Sequence, residues 1–286
     1  MTSTAERGDI VVGIDPVKNG HVVLAWAADE ARRRGLGLGL VVAVPPHHGA
    51  RHGADARRHS ALERSAAEAL DTARAWVQAR QPGVHVTIDV HDGSAAPLLA
   101  GLSNRAATVV LGSRHLSRTE EFLSAGSLVV PVTAQAHCPV VVVGDAEHVT
   151  QQPPYLVVGV DGSESSRAAL AWAFEEADLR LCELRAVAVW QPPVFSLQSG
   201  ATLFHAERRL LSECTAGWSE KYPDVRLTHE VLIGFPVEVL ADAGEHALAV
   251  AVGRRGHGGY SGMRVGSVVH GLLHRAHCPV VTVPVV

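Results

Sequence analysis

The chain has 286 residues, 47% of them hydrophobic, enough to bury a sizeable core in one large domain or two ordinary ones. A formal net charge of −4 at pH 7 argues against a general nucleic-acid binder. No apolar run reaches the roughly 18 residues of a membrane helix, and the polar opening over residues 1–9 has no apolar stretch behind a basic one. The expected location is therefore cytoplasmic, with neither nucleic acid nor membrane as partner.

In chain order, short β-rich runs alternate with helical stretches. Strands are predicted near 10–15, 38–44, 84–90, 108–112 and 140–143. After the second of these, residues 45–59 (PPHHGARHGADARRH) carry four histidines. They read as a solvated surface loop or as a weak metal or pH-sensitive site, and their spacing implies no coordination geometry. Residues 145–154 (DAEHVTQQPP) are polar and end in Pro-Pro, as a linker does. Further strands are predicted near 156–161, 184–190, 226–232, 248–253 and 280–285, with helices near 165–179, 203–221, 236–247 and 267–276. Pro236 suits a first helical turn, and Ser163 and Ser267 suit helix caps.

The second half repeats the first. Residues 10–15 (IVVGID) match 156–161 (LVVGVD), and 24–31 (LAWAADEA) match 170–177 (LAWAFEEA). Residues 109–114 (VVLGSR) match 250–255 (VAVGRR), and 136–143 (AHCPVVVV) match 276–283 (AHCPVVTV). The order is the same, and the offset drifts only from 146 to 140. That period is far too long for a solenoid, so it marks a domain duplication. Residues 1–146 form the first domain, 147–154 a linker and 155–286 the second domain. Nearly all-apolar strands separated by helices predict an α/β fold: two tandem doubly wound five-stranded parallel sheets. Cys138 and Cys278 stand at matching His-Cys-Pro positions before apolar runs and read as buried core thiols.

Residues 253–267 (GRRGHGGYSGMRVGS) follow an apolar strand and lead into a helix. Glycines let a backbone approach a ligand closely. The helix start at Gly266-Ser267 offers free N–H groups and a positive dipole end to an anion. Arg254, Arg255 and Arg264 make the loop cationic, and nothing in it is acidic. A phosphate chain suits it; a merely flexible loop is the alternative. If the strand order is 3-2-1-4-5, Asp161 and Gly253 end neighbouring strands where the winding reverses, the usual ligand crevice. Asp161 could then hold ribose hydroxyls or a hydrated Mg²⁺, or could be a turn or capping aspartate. No Walker loop and no Gly-x-Gly-x-x-Gly fingerprint is present.

The pattern Gly253-x2-Gly256-x9-Gly266-Ser267 resembles the ATP-binding signature of the universal stress protein family. The opening VVGVDGS and closing HCPVVTV are similar to that family's first and last strands. The resemblance covers both copies, as in tandem-domain members of the ATP-binding branch. It implies a Rossmann-like sheet of order 3-2-1-4-5, similar to the adenine nucleotide alpha hydrolases, with ATP held between strands one and four. Asp161 would touch ribose, the backbone of Val189 would bond adenine, and Gly253, Arg255, Gly256, Gly266, Ser267 and Val268 would line the phosphates. In the first copy the corresponding residues are Asp15, Val44, Gly112, Gly126 and Ser127. There the loop (GSRHLSRTEEFLSAGS, 112–127) departs from the pattern: His115 replaces the second glycine, the spacer is ten rather than nine, and Glu120 and Glu121 enter. Two carboxylates beside a triphosphate oppose binding unless they face solvent. Nucleotide binding by the first copy stays open.

The resemblance implies action by binding. The expected function is an ATP-binding, stress-response regulator with an unidentified protein partner, against a slow Mg-dependent ATPase as the rival. The rival lacks an obvious base to orient water; His257 is the one candidate in the loop. Each copy ends in an apolar strand that would lie at a sheet edge, which predicts pairing between the copies or a homodimer.

Overall fold

The computed structural model describes residues 8–16, 20–46, 53–113, 128–144, 148–191, 200–257 and 264–285. The chain divides into two compact units, with described residues up to 144 in unit 1 and those from 148 in unit 2.

Unit 1 runs β1 (Ile10–Gly13), α1 (His21–Arg34), β2 (Leu38–Val44), α2 (Gly53–Arg80), β3 (Val86–Asp92), α3 (Ala95–Leu102), β4 (Thr108–Gly112), α4 (Val129–Gln135) and β5 (Val140–Val143). Its strands pair in parallel in the order β3-β2-β1-β4-β5. Unit 2 runs β6 (Tyr155–Gly159), α5 (Glu164–Arg180), β7 (Glu183–Trp190), α6 (Gly200–Thr215), α7 (Trp218–Lys221), β8 (Leu227–Ile233), α8 (Pro236–Ala243), β9 (Val250–Gly253), α9 (Ser267–Arg275) and β10 (Val280–Val283). Its parallel order is β8-β7-β6-β9-β10, which within the unit is again 3-2-1-4-5. In both units the winding reverses between the first and fourth strands, so helices cover both faces of the sheet. This is why β4, β5, β6 and β9 carry no polar alternation: they are buried along almost their whole length.

The duplication extends to a costly detail. Glu30 and Glu176, 1% and 0% exposed, occupy matching positions on α1 and α5. Glu30 pairs with Arg33 at 3.2 Å and with Arg34, and Glu176 pairs with Arg180. A buried carboxylate is tolerable only with such partners.

Beyond shifts of two to four residues at the ends of β1, α8, β9 and β10, the structure departs from the sequence expectations as follows. The helix expected over 203–221 breaks at Gly217, whose φ of +79° is left-handed, and resumes as α7. The break lets Trp218 and Tyr222 stack on fully buried Phe174, with ring centroids 5.2 and 5.9 Å away. Strand β3 lies two residues later than expected, at 86–92 rather than 84–90. Strand β6 ends at Gly159, so Asp161 sits in the turn beyond it. Within the histidine-rich stretch, residues 53–59 belong to α2 rather than to a loop. Residues 47–52 lie outside the described residues.

The polar stretch before β6 is held to unit 2: Gln151 N donates to His246 O at 3.0 Å, and His148 Nε2 lies 2.8 Å from Ala247 O. Cys138 and Cys278 are 6% and 3% exposed, and burial pushes both thiols up to about 12. They are core thiols, as expected. Among the described residues no helix is long and apolar enough to cross a membrane.

Candidate functional site

Unit 2 holds a cavity of about 510 Å³ at the C-terminal ends of β6 and β9, a volume in the usual range for small-molecule sites. All eight residues singled out in the second copy line it: Asp161, Val189, Gly253, Arg255, Gly256, Gly266, Ser267 and Val268. The middle of the glycine loop, 258–263, lies outside the described residues.

Two glycines of the lining sit in close quarters, Gly253 against backbone and Gly256 against a carboxylate. A Cβ on Gly253 would lie 2.4 Å from the carbonyl carbon of Ser165 and 2.5 Å from its oxygen. One on Gly256 would lie 2.4 Å from Asp161 Oδ2. Gly266 N donates to Arg254 O at 2.9 Å and closes the loop on itself. From there α9 begins, with its first intrahelical bond from His270 N to Gly266 O at 3.1 Å. The amides of Ser267, Val268 and Val269 precede that bond, so they have no partner within the helix and carry the positive end of its dipole. All three residues line the cavity.

Asp161 ties the turn after β6 to the loop. Its Oδ1 accepts from Ser163 N at 3.0 Å and Ser163 Oγ at 2.6 Å, while Oδ2 accepts from His257 N at 3.1 Å. Burial pushes this carboxyl up, but the bonds from Ser163, with those from Ser166 and His257, outweigh it and hold it below its ordinary 3.8. Asp161 is thus a turn aspartate, one of its two expected readings, and it also lines the cavity.

The contributors missed from the sequence include three on α5 and α6. Ser165 Oγ accepts from Arg255 N at 3.3 Å, pinning the loop to α5. Ser166, 3% exposed, lines the cavity, and its hydroxyl lies 3.4 Å from Asp161 N. Glu207 on α6 lines the cavity too; burial and the charge of Asp161 raise its carboxyl above the ordinary range. Hydroxyls at a helix start signal capping, not a pocket wall, and Glu207 looks like any exposed helix acid until α6 is laid over β7 and β8.

Ser163 also caps α5, accepting from Ser166 N at 3.1 Å. Ser163→Ala is expected to destabilise unit 2 by about 1 kcal/mol at neutral pH. Asp161 titrates below 3.8 in the folded chain, so its contribution is present above that pH and lost as acid protonates it. The Ser163→Ala deficit should shrink as the pH falls below 3.8 in paired urea melts; a deficit independent of pH would detach Ser163 from Asp161.

Unit 1 has a smaller cavity, about 340 Å³, in the matching place. Asp15 and Gly112 line it, beside apolar Val41, Ala73 and Leu99; Val44 does not. Gly126 and Ser127 lie outside the described residues, as do His115, Glu120 and Glu121. Gly20 stands where unit 2 has Ser166, and α1 has no side-chain cap.

Fold and cavity together define a tandem α/β protein whose second unit lines a cavity with a glycine loop and a helix start. The universal stress protein family model matches residues 6–144 and 155–284, and the chain belongs to that family. It is 37% identical to universal stress protein Rv2623 of Mycobacterium tuberculosis (strain ATCC 25618 / H37Rv) over 299 residues, covering 98% of each chain. It is 32% identical to universal stress protein Rv1996 of the same strain over 307 residues, covering 98% of this chain and 96% of that one. Among solved structures, a universal stress protein from Archaeoglobus fulgidus superposes with a TM-score of 0.73 at 18% identity, covering 97% of both chains.

Proposed function

We propose that unit 2 binds ATP and that the chain acts as a nucleotide-dependent regulator in the stress response. The observation that carries this is the convergence, on one cavity, of the α9 helix start, the cramped glycines Gly253 and Gly256, and the Asp161 carboxylate. The triphosphate would lie on the amides of Ser267 and Val268, with Arg255 beside it. The ribose would lie toward Asp161, and adenine against the backbone of Val189. Mg²⁺ would be held chiefly by the phosphates and water, because Ser163 and His257 already engage both oxygens of Asp161. Occupancy would favour one loop arrangement and shift the surface offered to a protein partner.

Unit 1 lacks the Ser166 equivalent, and we assign it no triphosphate. The expected stoichiometry is one ATP per chain, measured by mass and chromatography of nucleotide carried through purification. Single-turnover assays with Mg-ATP separate this reading from a slow ATPase. Intact ATP retained over hours supports binding; steady ADP release lost in Asp161→Ala supports the enzyme. A chain that neither retains nor takes up ATP would remove the proposal. A homodimer through apolar edge strands completes the reading, and a monomeric mass by light scattering at micromolar concentration would remove that part.

A further inference from the structure

We propose that His59, Glu63 and Asp92 of unit 1 form a site for a divalent cation of the zinc type. His59 and Glu63 stand one turn apart on α2, and Asp92 is the last residue of β3. His59 Nε2 lies 3.5 Å from Glu63 Oε1 and 3.3 Å from Asp92 Oδ1, and the three ligand atoms lie within 4.8 Å of one another. Around a tetrahedral ion with bonds near 2.0–2.2 Å, ligand atoms are about 3.3–3.5 Å apart. Two of the three separations already have that value.

The other ring nitrogen fixes the chemistry. His59 Nδ1 lies 3.2 Å from the carbonyl oxygen of Pro45, just after β2. A carbonyl can only accept, so Nδ1 donates to it, and Nε2 is the ring atom turned toward the two carboxylates. Nε2 and the two carboxylates face one point, where a divalent cation would find three ligand atoms. A backbone carbonyl behind the distal nitrogen is the usual outer support of a histidine ligand. The imidazole is held, with 16% of the side chain exposed, while Glu63 and Asp92 are 48% and 66% exposed. An ion can therefore enter between the two carboxylates. One imidazole with two carboxylates suits zinc better than magnesium or calcium, which favour all-oxygen shells. None of the three residues lines the unit 1 cavity, so the site is independent of the nucleotide reading. A cation here would clip α2 to the ends of β2 and β3.

The test uses the full chain after chelator treatment. Zinc is titrated at pH 7.5 in competition with a chromophoric chelator, and cobalt absorption is recorded in parallel. The wild type is expected to take up one more zinc per chain than His59→Ala, at micromolar affinity or better. Asp92→Asn is expected to weaken uptake 10- to 100-fold, and cobalt should give an intense tetrahedral band that both variants lose. Glu63→Gln, a change at a half-exposed side chain, serves as a second variant if His59→Ala folds poorly by circular dichroism. Equal zinc uptake by wild type and variants overturns the site. So does a His59 effect confined to the pH dependence of stability, which would mark a protonated ion pair.

Discussion

Gly253→Ala is expected to destabilise unit 2 by about 3 kcal/mol and to abolish ATP retention, while Gly112→Ala at the matching position of unit 1 changes stability by less than about 0.5 kcal/mol. The two glycines end equivalent strands, but their surroundings differ. A methyl group on Gly253 would lie 2.4 Å from the carbonyl carbon of Ser165, 2.5 Å from its oxygen and 2.7 Å from its hydroxyl. Those atoms belong mostly to the backbone of α5, which cannot rotate away. Relief must come from parting β9 and α5, and that also breaks the bond from Arg255 N to Ser165 Oγ that seats the loop. On Gly112 the same methyl meets, among the described residues, only Val23 Cγ2, at 3.4 Å. Chemical melts of the paired variants, with nucleotide content measured on each, check the contrast. Equal effects at the two positions would show that the close approach to Ser165 does not hold the loop.

Asp161→Ala is expected to weaken ATP binding at least 100-fold, about 2.7 kcal/mol. The carboxylate accepts from two groups of Ser163 and from the amide of His257. Bonds to a charged acceptor contribute about 1.5–3 kcal/mol each, and their loss frees the loop as well as removing a ligand contact. Asp161→Asn keeps one acceptor oxygen and should fall between, at roughly 10-fold. Gly256→Ala should resemble Asp161→Ala, since its new Cβ would lie 2.4 Å from Asp161 Oδ2. Calorimetric titration with ATP ranks the three; an Asp161→Ala chain that binds like wild type would sever the carboxylate from the site.

The sheets were readable because burial on both faces leaves a one-dimensional signature. Runs such as VVVV in β5 admit no polar alternation, and their repetition gave the duplication. The cavity's ends were readable for a similar reason: glycines at fixed spacing mark where backbone must approach backbone. What escaped depends on contacts between distant segments. Gly217 looks like a tolerable helix glycine until Trp218 and Tyr222 are seen to stack on Phe174 across the unit. Ser165 and Ser166 are ordinary first-turn hydroxyls until β9 ends against them. His59 falls in a stretch whose composition suggests a loop, and its partner Asp92 is 33 positions away, brought near only by the crossover from α2 to β3.

The paired core thiols give each unit its own clock. Cys138 is the one cysteine among residues 1–146, and it lies buried just before β5. With its thiol pushed up to about 12, almost no thiolate exists at neutral pH until unit 1 opens. Cys278 stands in the same condition before β10, beside buried Cys182 and half-buried Cys214 elsewhere in unit 2. Pulsed alkylation followed by peptide mass analysis would therefore time the opening of each half of one chain separately. Added ATP should slow the clock at Cys278 and leave the one at Cys138 running as before.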